Sequence, residues 1–230
     1  MNATDRDAAT PDAAARRALA WTHGAHFLTT ASRLDELPAG ELPEIAFVGR
    51  SNAGKSSAIN ALAQRRQLAF ASRTPGRTQH INLFALGPRD APDALLADLP
   101  GYGYAAVERG AKLRWQAVMA EYLQHRRNLA GVVQLVDARL GPTDLDEKLL
   151  ALIAPRVCTG EVRLLVLLTK ADKLGRRQAQ QALAAAQAAL APLAGEAADI
   201  GIALFSAPTR QGLDDVAVHL HGWVHGAAAA

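Results

Sequence analysis

A glycine-rich loop lies in this sequence between an apolar run and a helical pattern. The apolar run covers residues 44–48, and the loop after it reads GRSNAGKS over residues 49–56. Gly49 and Gly54 allow the backbone to turn tightly, so that successive N–H groups point inward, and a helix beginning at Lys55 adds the positive end of its dipole. The sequence therefore predicts a strand, an anion-binding loop and a helix in succession, which is the P-loop arrangement.

Two side chains of this loop suit a phosphate group and its metal ion. The Lys55 ammonium would reach the outer phosphates, and the Ser56 hydroxyl is short enough to ligate a Mg²⁺ ion that bridges them. The alternative is an ordinary surface loop that matches the pattern by chance. Such a match arises in roughly one chain in a hundred of this length, and the flanking strand and helix patterns make it rarer still.

Length and composition indicate one domain with loose ends. Half of the 230 residues are hydrophobic, which is enough for one substantial core. We expect a single domain over residues 23–225, with a disordered Ala- and Asp-rich extension at residues 1–22 and a disordered tail at residues 226–230. No apolar run approaches the ~18 residues that cross a bilayer, and the N-terminus lacks a signal-peptide core. We therefore expect a cytoplasmic protein that does not associate with membranes.

Apolar runs and helical patterns alternate along the chain. The runs predict six strands, at residues 44–48, 81–86, 94–99, 131–136, 162–168 and 200–205, and the helical patterns cover residues 55–64, 111–124, 144–154, 176–193 and 213–224. Continuous apolar runs are typical of strands covered on both faces. The second and third runs are too close for a crossover helix and should pair antiparallel. We predict an α/β fold of three layers, with a six-stranded, mostly parallel sheet, one antiparallel edge strand and helices on both faces.

Basic residues form clusters although the formal net charge is only +3. The clusters lie at residues 65–66, 73–77, 109–114, 126–127 and 176–177. Such clusters contact RNA phosphates in some proteins and are solvated helix ends and loops in others. Charge alone does not decide between these interpretations.

An acid at the end of the 94–99 run suits the metal ion of a bound phosphate. Asp98 begins the sequence DLPG, where its carboxylate would hold Mg²⁺ through water. Gly101 has no side chain to obstruct the terminal phosphate, and its N–H is placed to report whether that phosphate is present. The alternative for this tetrapeptide alone is a simple turn after a strand.

Residues 72–80 form a polar stretch, broken by Gly and Pro, between the P-loop and Asp98. Thr78 lies just before the run at 81–86, so we choose its hydroxyl as the second Mg²⁺ ligand. There a segment can close over the phosphates and be released after hydrolysis. The alternative is an ordinary flexible loop.

The sequence TKAD after the run at 162–168 predicts which base is bound. Asp172 would accept two hydrogen bonds from guanine N1–H and the 2-amino group, whereas adenine offers no such pair of donors. The aliphatic stem of Lys170 would cover the base, and residues 205–207 (FSA) would bring backbone N–H groups near guanine O6. On its own, TKAD is more often a helix-capping turn.

These elements occur in the order found in translation-factor-related GTPases, and the match is more extensive. The sequence reads FVGRSNAGKSS at 47–57, PGRTQ at 75–79, DLPGYGYA at 98–105 and VDAR at 136–139. It resembles the EngB family (also called YihA or YsxC) of ribosome-biogenesis GTPases, within the TrmE-Era-EngA-EngB-Septin-like superfamily. The resemblance runs from about residue 27 to residue 223.

The resemblance implies a Ras-like G domain that binds GTP and GDP, requires Mg²⁺ and hydrolyses GTP slowly. It also implies a switch in assembly of the large ribosomal subunit or its precursor, through rRNA and ribosomal proteins, and a need for the protein in normal cell division and septation. We expect a monomer.

By motif, the resemblance assigns the nucleotide contacts, the metal ligands and the residues nearest the reacting phosphate. The nucleotide contacts are Gly49, Arg50, Ser51, Asn52, Ala53, Gly54, Lys55, Ser56, Gly76, Arg77, Thr78, Gln79, His80, Asp98, Leu99, Pro100, Gly101, Thr169, Lys170, Ala171, Asp172, Phe205, Ser206 and Ala207. The metal ligands are Ser56 and Thr78, and the catalytic residues are Lys55, Thr78 and Gly101. Threonine at position 169, where the family pattern has Asn, keeps a hydrogen-bonding side chain.

Two further residues bear on hydrolysis. Tyr102 follows DLPG where many regulatory GTPases have a water-orienting Gln, which predicts a slow intrinsic rate of roughly 10⁻⁴ to 10⁻² s⁻¹. Asn52 resembles the residue that potassium-activated GTPases use to hold K⁺, and the alternative is that it only stabilises the loop. Stimulation of hydrolysis by KCl but not NaCl would distinguish the two.

Two other functions compete with a GTP-operated switch. An ATP-dependent small-molecule kinase would use the same P-loop, but the chain lacks an acceptor-binding lid and carries TKAD. A GTP-dependent RNA-modification component would need a substrate domain, and no segment outside the predicted core is long enough for one. The sequence therefore favours the switch.

Overall fold

The structure, a computed structural model, describes residues 11–69, 80–103 and 109–226. Seven strands form one sheet in the order β1-β3-β4-β2-β5-β6-β7. They are β1 (His26–Ala31), β2 (Glu44–Gly49), β3 (Ile81–Leu86), β4 (Ala94–Asp98), β5 (Leu129–Asp137), β6 (Arg163–Thr169) and β7 (Ile200–Leu204). The helices are α1 (Pro11–His23), α2 (Lys55–Leu62), α3 (Arg109–His125), α4 (Asp144–Cys158), α5 (Arg176–Leu190) and α6 (Leu213–His225).

The directions of the strands confirm a mostly parallel sheet. Strands β4, β2, β5, β6 and β7 pair parallel, and β3 pairs antiparallel with β4, as the short connection predicts. The prediction that the antiparallel strand lies at the edge is wrong, because β1 pairs with its outer side. The carboxyl ends of the parallel strands meet at one edge, which is where ligands bind in such sheets.

The seventh strand, β1, is absent from the sequence prediction. It is short and lies at the edge of the sheet, its register shifts between Phe27 and Thr29, and Phe27 and Leu28 are both exposed. This shift interrupts the simple alternation of buried and exposed side chains that identifies a strand in a sequence.

Helices cover both faces of the sheet, which confirms three layers. Ala46 and Val48 of β2 pack on one side with residues of α3, α4 and α5. Ile45 and Phe47 point to the other side and pack with α1, α2 and α6. All four side chains are fully buried, and full burial of a side chain such as Phe47 contributes about 1.5–3 kcal/mol.

The predicted disorder of residues 1–22 is wrong for the described part of that segment. Helix α1 lies against α6, where Ala18 and Trp21 are buried. The Trp21 indole N–H also donates to the Asp93 carboxylate at 2.7 Å. Small alanines and one Trp make this contact, so the segment lacks the run of large apolar residues that marks a core helix. Residues 1–10 and 227–230 lie outside the described residues.

Within the described residues, no helix is both long enough and apolar enough to cross a membrane.

Candidate functional site

The loop between β2 and α2 has the strand, turn and helix start that the sequence predicts. Helix α2 begins at Lys55, and Gly54 before it has a φ of 97°. Asn52 also has a positive φ, of 67°. Glycine adopts this left-handed backbone at little cost, and Asn tolerates it better than most residues. Ser56, the predicted Mg²⁺ ligand, is half-buried at the second position of the helix.

Lys55 and Asp98 form a buried ion pair at the carboxyl edge of the sheet. Strands β2 and β4 are neighbours, so the Lys55 ammonium after β2 meets the Asp98 carboxylate at the end of β4. Their side chains are only 9% and 2% exposed. Removal of either partner would leave a buried charge without compensation, which typically costs about 3–5 kcal/mol.

The DLPG segment is hydrogen-bonded directly to the P-loop. The Tyr102 N–H donates to Gly49 O at 3.2 Å, and the Ser51 N–H donates to Tyr102 O at 2.9 Å. A Cβ added to Gly101 would lie only 3.2 Å from the Ser51 N and Cα atoms. The structure thus adds a reason for glycine at position 101, since a Cβ there would be in tight contact with the Ser51 backbone and the P-loop would have to shift slightly.

The side chain of Tyr102 faces the core. Its hydroxyl donates to Asp146 Oδ1 at 2.6 Å, and the same carboxylate accepts from the Thr143 hydroxyl at the start of α4. Burial, and then the charge of Asp146, raise the pKa of Tyr102 well above its usual value. Tyr102 therefore connects the DLPG segment to α4, and its hydroxyl is committed to that bond.

The TKAD turn after β6 supports the P-loop from the other side. The Thr169 hydroxyl donates to Ala53 O at 2.6 Å, and the Lys170 ammonium donates to Asn52 O at 2.7 Å. Thr169 is 3% exposed. Threonine therefore supplies a hydrogen bond to the loop at the position where the family pattern has Asn.

Asp172 is held as an ionised acceptor beside the end of β7. The Ser206 hydroxyl donates to its Oδ1 at 2.8 Å. This bond, and then one from Lys173, lower the pKa of the Asp172 carboxyl. The residue thus has the charge state that two guanine donors require.

Hydrogen bonds within the protein reduce the number of backbone N–H groups of residues 205–207 that could contact guanine O6. The Phe205 N–H donates to Leu168 O at 2.9 Å, and the Ser206 N–H donates to Gln211 O at 3.1 Å. These two donors are used within the protein. The Ala207 N–H is then the candidate for the O6 contact.

Some predicted contacts cannot be placed beside the loop. Gly76, Arg77, Thr78 and Gln79 lie outside the described residues. His80 is exposed, and its Nδ1 lies 2.9 Å from the Ser32 hydroxyl near the end of β1. Its contact with a nucleotide stays a prediction.

Asp137, at the end of β5, lies in the site but has no role in the sequence prediction. Its carboxylate accepts from Arg139 Nη2 at 2.7 Å and from Lys170 Nζ at 2.8 Å. These side chains line a cavity of about 200 Å³ with residues 50–53 of the P-loop. The rule that identified Asp98, an acid that ends a buried strand beside β2, would also have identified Asp137 within VDAR.

The charges around Asp137 determine its ionisation. Burial by itself would raise the pKa of Asp137, but hydrogen bonds from Arg139 and Lys170 outweigh it and hold the pKa well below its usual value. The stabilisation is therefore complete above the unfolded pKa of about 3.9, and it is lost as the pH falls through the lower folded value.

Asp137 positions Lys170, and a double-mutant cycle tests this. We expect Asp137→Asn to weaken GDP binding by about tenfold, the scale of one hydrogen bond to a charged group. Lys170→Ala should add little in that background, because both changes remove one interaction. Nucleotide titrations of the single and double variants measure the coupling.

Asp199→Asn is the matched control, since Asp199 pairs with Arg163 at the start of β6, away from the loop. Fully additive losses for Asp137→Asn and Lys170→Ala would contradict the positioning role.

The described residues near the loop fit a Mg²⁺ ion bound mainly by phosphate and water. They contain no group of three or more His, Cys, Asp or Glu side chains that could hold a metal ion. The Ser56 hydroxyl next to Lys55, with the single carboxylate of Asp98, is the donor set expected when the nucleotide supplies most ligands.

Comparison with known proteins agrees with this geometry. The model of the family described as "50S ribosome-binding GTPase" matches residues 44–170, more than half of the chain. The chain is 59% identical to the "Probable GTP-binding protein EngB" of Acidovorax ebreus (strain TPSY) over 90% of its own length and 91% of that protein. It is 49% identical to the protein of the same name from Burkholderia pseudomallei (strain 1106a), over 90% and 94% of the two chains.

Solved structures share the fold. The crystal structure of a probable GTP-binding protein engB matches with a TM-score of 0.60 at 16% identity, over 79% of this chain and 98% of that one. Era in complex with MgGDPNP and nucleotides 1506–1542 of 16S ribosomal RNA matches with a TM-score of 0.62 at 19% identity, over 84% and 60%. The chain has a P-loop and the TKAD turn with Asp172, and it is 49–59% identical to these relatives over most of its length. This chain therefore belongs to the EngB family of GTP-binding proteins and is a P-loop GTPase.

Proposed function

We propose that this GTPase is a nucleotide-operated switch in the assembly of the large ribosomal subunit. One observation carries the nucleotide part. The Lys55–Asp98 pair, the P-loop and the TKAD turn form a continuous set of contacts at one edge of the sheet. The description of the matching family, "50S ribosome-binding GTPase", supports the ribosomal part.

In this proposal, different residues at the carboxyl edge of the sheet bind the phosphates, the metal ion and the base. Lys55 and the P-loop N–H groups bind the phosphates, and Asp172, Lys170 and the Ala207 N–H bind guanine. Ser56 and Thr78 would hold Mg²⁺, with Asp98 contacting it through water, and the ion would neutralise charge on the phosphates. Gly101 lies beside the P-loop, where its N–H can respond to the terminal phosphate.

Hydrolysis should be slow without an activating partner. The hydroxyl of Tyr102 is bonded to Asp146, so this side chain does not orient an attacking water. The second candidate cofactor is K⁺ at Asn52, and the comparison of KCl with NaCl tests it. The main-chain carbonyl of Asn52 accepts from Lys170, so the loop is already supported there whichever role the Asn52 side chain has.

The partner is the large ribosomal subunit or its precursor, contacted in the cytoplasm by a monomer through rRNA and ribosomal proteins. Failure of assembly would in turn disturb cell division and septation. Era, which shares the fold over 60% of its chain, has been solved in complex with nucleotides of 16S ribosomal RNA. Membership of a GTP-binding family disfavours the ATP-dependent kinase, and the RNA-modification component has no substrate domain within the described residues.

Co-sedimentation with ribosomal subunits tests the switch. We expect the protein to sediment with large-subunit particles to different extents with GDP and with a non-hydrolysable GTP analogue, because only the latter supplies the terminal phosphate. Equal sedimentation in both states would contradict a nucleotide-operated switch.

A further inference from the structure

A second concave site lies at the opposite end of the sheet from the P-loop. The register places His26 beside Ala85 near the end of β3, whereas Asn82 near the start of β3 pairs with Asp98. Helix α2 runs from the P-loop to this far end. A cavity of about 310 Å³ lies there between the start of β1, the loop after α2 and the loop after β3.

Arginine dominates the charge of this cavity. Arg65, Arg66 and Arg89 line it, all three are exposed, and its lining contains no carboxylate. Among the described residues, none of the three forms an ion pair. Three guanidinium groups without acidic partners favour an anionic ligand, and Arg suits phosphate because its planar fork donates two hydrogen bonds.

An exposed aromatic ring forms one wall of the same cavity. Phe27 is 55% exposed. Its ring packs edge to face on Phe84, with centroids 6.0 Å apart, so its orientation is set by the core. A large exposed ring beside arginines is the combination on which bases of single-stranded nucleic acids stack.

The loop that carries Arg65 and Arg66 is held in place by hydrogen bonds to Asn60. The Asn60 amide donates to Ala69 O at 2.8 Å, and the Ala69 N–H donates back to Asn60 Oδ1 at 2.8 Å. The Arg65 N–H donates to Asn60 O at 2.9 Å. Asn60 thus closes the loop around Arg65 and Arg66, which limits the freedom lost when a ligand binds.

The geometry points to a site for single-stranded RNA at this cavity. Phosphates contact Arg65, Arg66 and Arg89, and one base stacks on Phe27. The choice of RNA over another polyanion rests on the proposed ribosomal partner. Because the cavity and the P-loop lie at opposite ends of the sheet, RNA and nucleotide can bind together.

Fluorescence anisotropy with a short labelled single-stranded RNA tests the site on the full chain loaded with GDP. Arg65→Gln/Arg66→Gln should weaken binding at least tenfold. It should also reduce the slope of log affinity against log salt by about 1.4, since each lost phosphate contact on a single strand contributes about 0.7. Phe27→Leu should weaken binding about fivefold with little change of slope, because stacking is not an ion-release term.

The control is Arg176→Gln/Arg177→Gln, which removes the same charge from exposed positions on α5. Equal losses in the two double variants would overturn the inference, because net charge alone would then explain binding. Tight binding of polyglutamate that Phe27→Leu leaves unchanged would also overturn it and would indicate an acidic protein partner.

Two readouts separate this inference from the proposed function. GDP affinity should be unchanged in every variant, which also shows that each is folded. If Arg65→Gln/Arg66→Gln retains nucleotide-dependent sedimentation with ribosomal particles and full RNA affinity, the RNA site is wrong and the switch stands. If the wild-type protein binds RNA at this cavity but sediments equally in both nucleotide states, the switch is wrong and the RNA site stands.

Discussion

Replacement of Lys55 by alanine is expected to abolish tight binding of GTP and GDP. The ammonium group follows the P-loop and lies at the carboxyl edge of the sheet, where it is buried against Asp98. Loss of a hydrogen bond from a charged group costs about 1.5–3 kcal/mol, and the unpaired Asp98 carboxylate would add repulsion of the phosphates. We therefore expect the Kd for GDP to rise by about 100-fold or more, measured by titration with a fluorescent nucleotide.

A second variant separates binding from folding. Lys55→Ala leaves a buried carboxylate without its partner, so it should lower thermal stability as well. Lys55→Ala/Asp98→Asn removes that uncompensated charge, so it should regain stability while nucleotide binding stays weak. A Kd unchanged from wild type in Lys55→Ala would contradict the phosphate role.

Asp172→Asn is expected to exchange a preference for guanine for one for xanthine. The amide would donate a hydrogen bond where xanthine carries an acceptor and guanine carries its 2-amino donor. The structure indicates that Asn would keep its position here, because its side-chain oxygen can still accept from the Ser206 hydroxyl, which donates to Asp172 Oδ1 at 2.8 Å. We expect GDP affinity to fall about 100-fold and affinity for xanthosine diphosphate to rise similarly, since mismatched polar groups in a buried site are strongly rejected.

Competition titrations of the two diphosphates measure the exchange. Asp35→Asn is a suitable control, because Asp35 pairs with the exposed Arg33 after β1, at the opposite side of the strand order from β6 and β7, which Asp172 and Ser206 follow. Unaltered affinity for GTP in Asp172→Asn would disprove the assignment of base recognition.

Much of this site can be predicted from the sequence because its motifs consist of adjacent residues. Gly54 with a φ of 97° and the start of α2 at Lys55 are properties of adjacent residues, so the P-loop could be located from its pattern. Asp98 and the TKAD turn could be located because each ends a continuous apolar run, and parallel strands end at one edge.

Other features depend on partners far away in the chain. The bond from Tyr102 to Asp146 joins residues 44 positions apart, and that from Thr169 to Ala53 joins residues 116 apart. No local pattern encodes such pairs. For the same reason the sequence does not predict α1, since its alanines and Trp21 form a core face only against α6.

The alternation of strands and helices, the phosphate loop and the acid expected to select guanine could all be inferred from the amino-acid sequence, because backbone preference and hydrophobic periodicity act between near neighbours. The folded chain was needed to show that β1 forms the edge of the sheet, that Asp137 holds Lys170 against the P-loop, and that Tyr102 is hydrogen-bonded to α4. It also brought Arg65, Arg66 and Arg89 around Phe27. Those contacts arise only when strands and loops distant in the chain pack together, so no pattern among near neighbours encodes them.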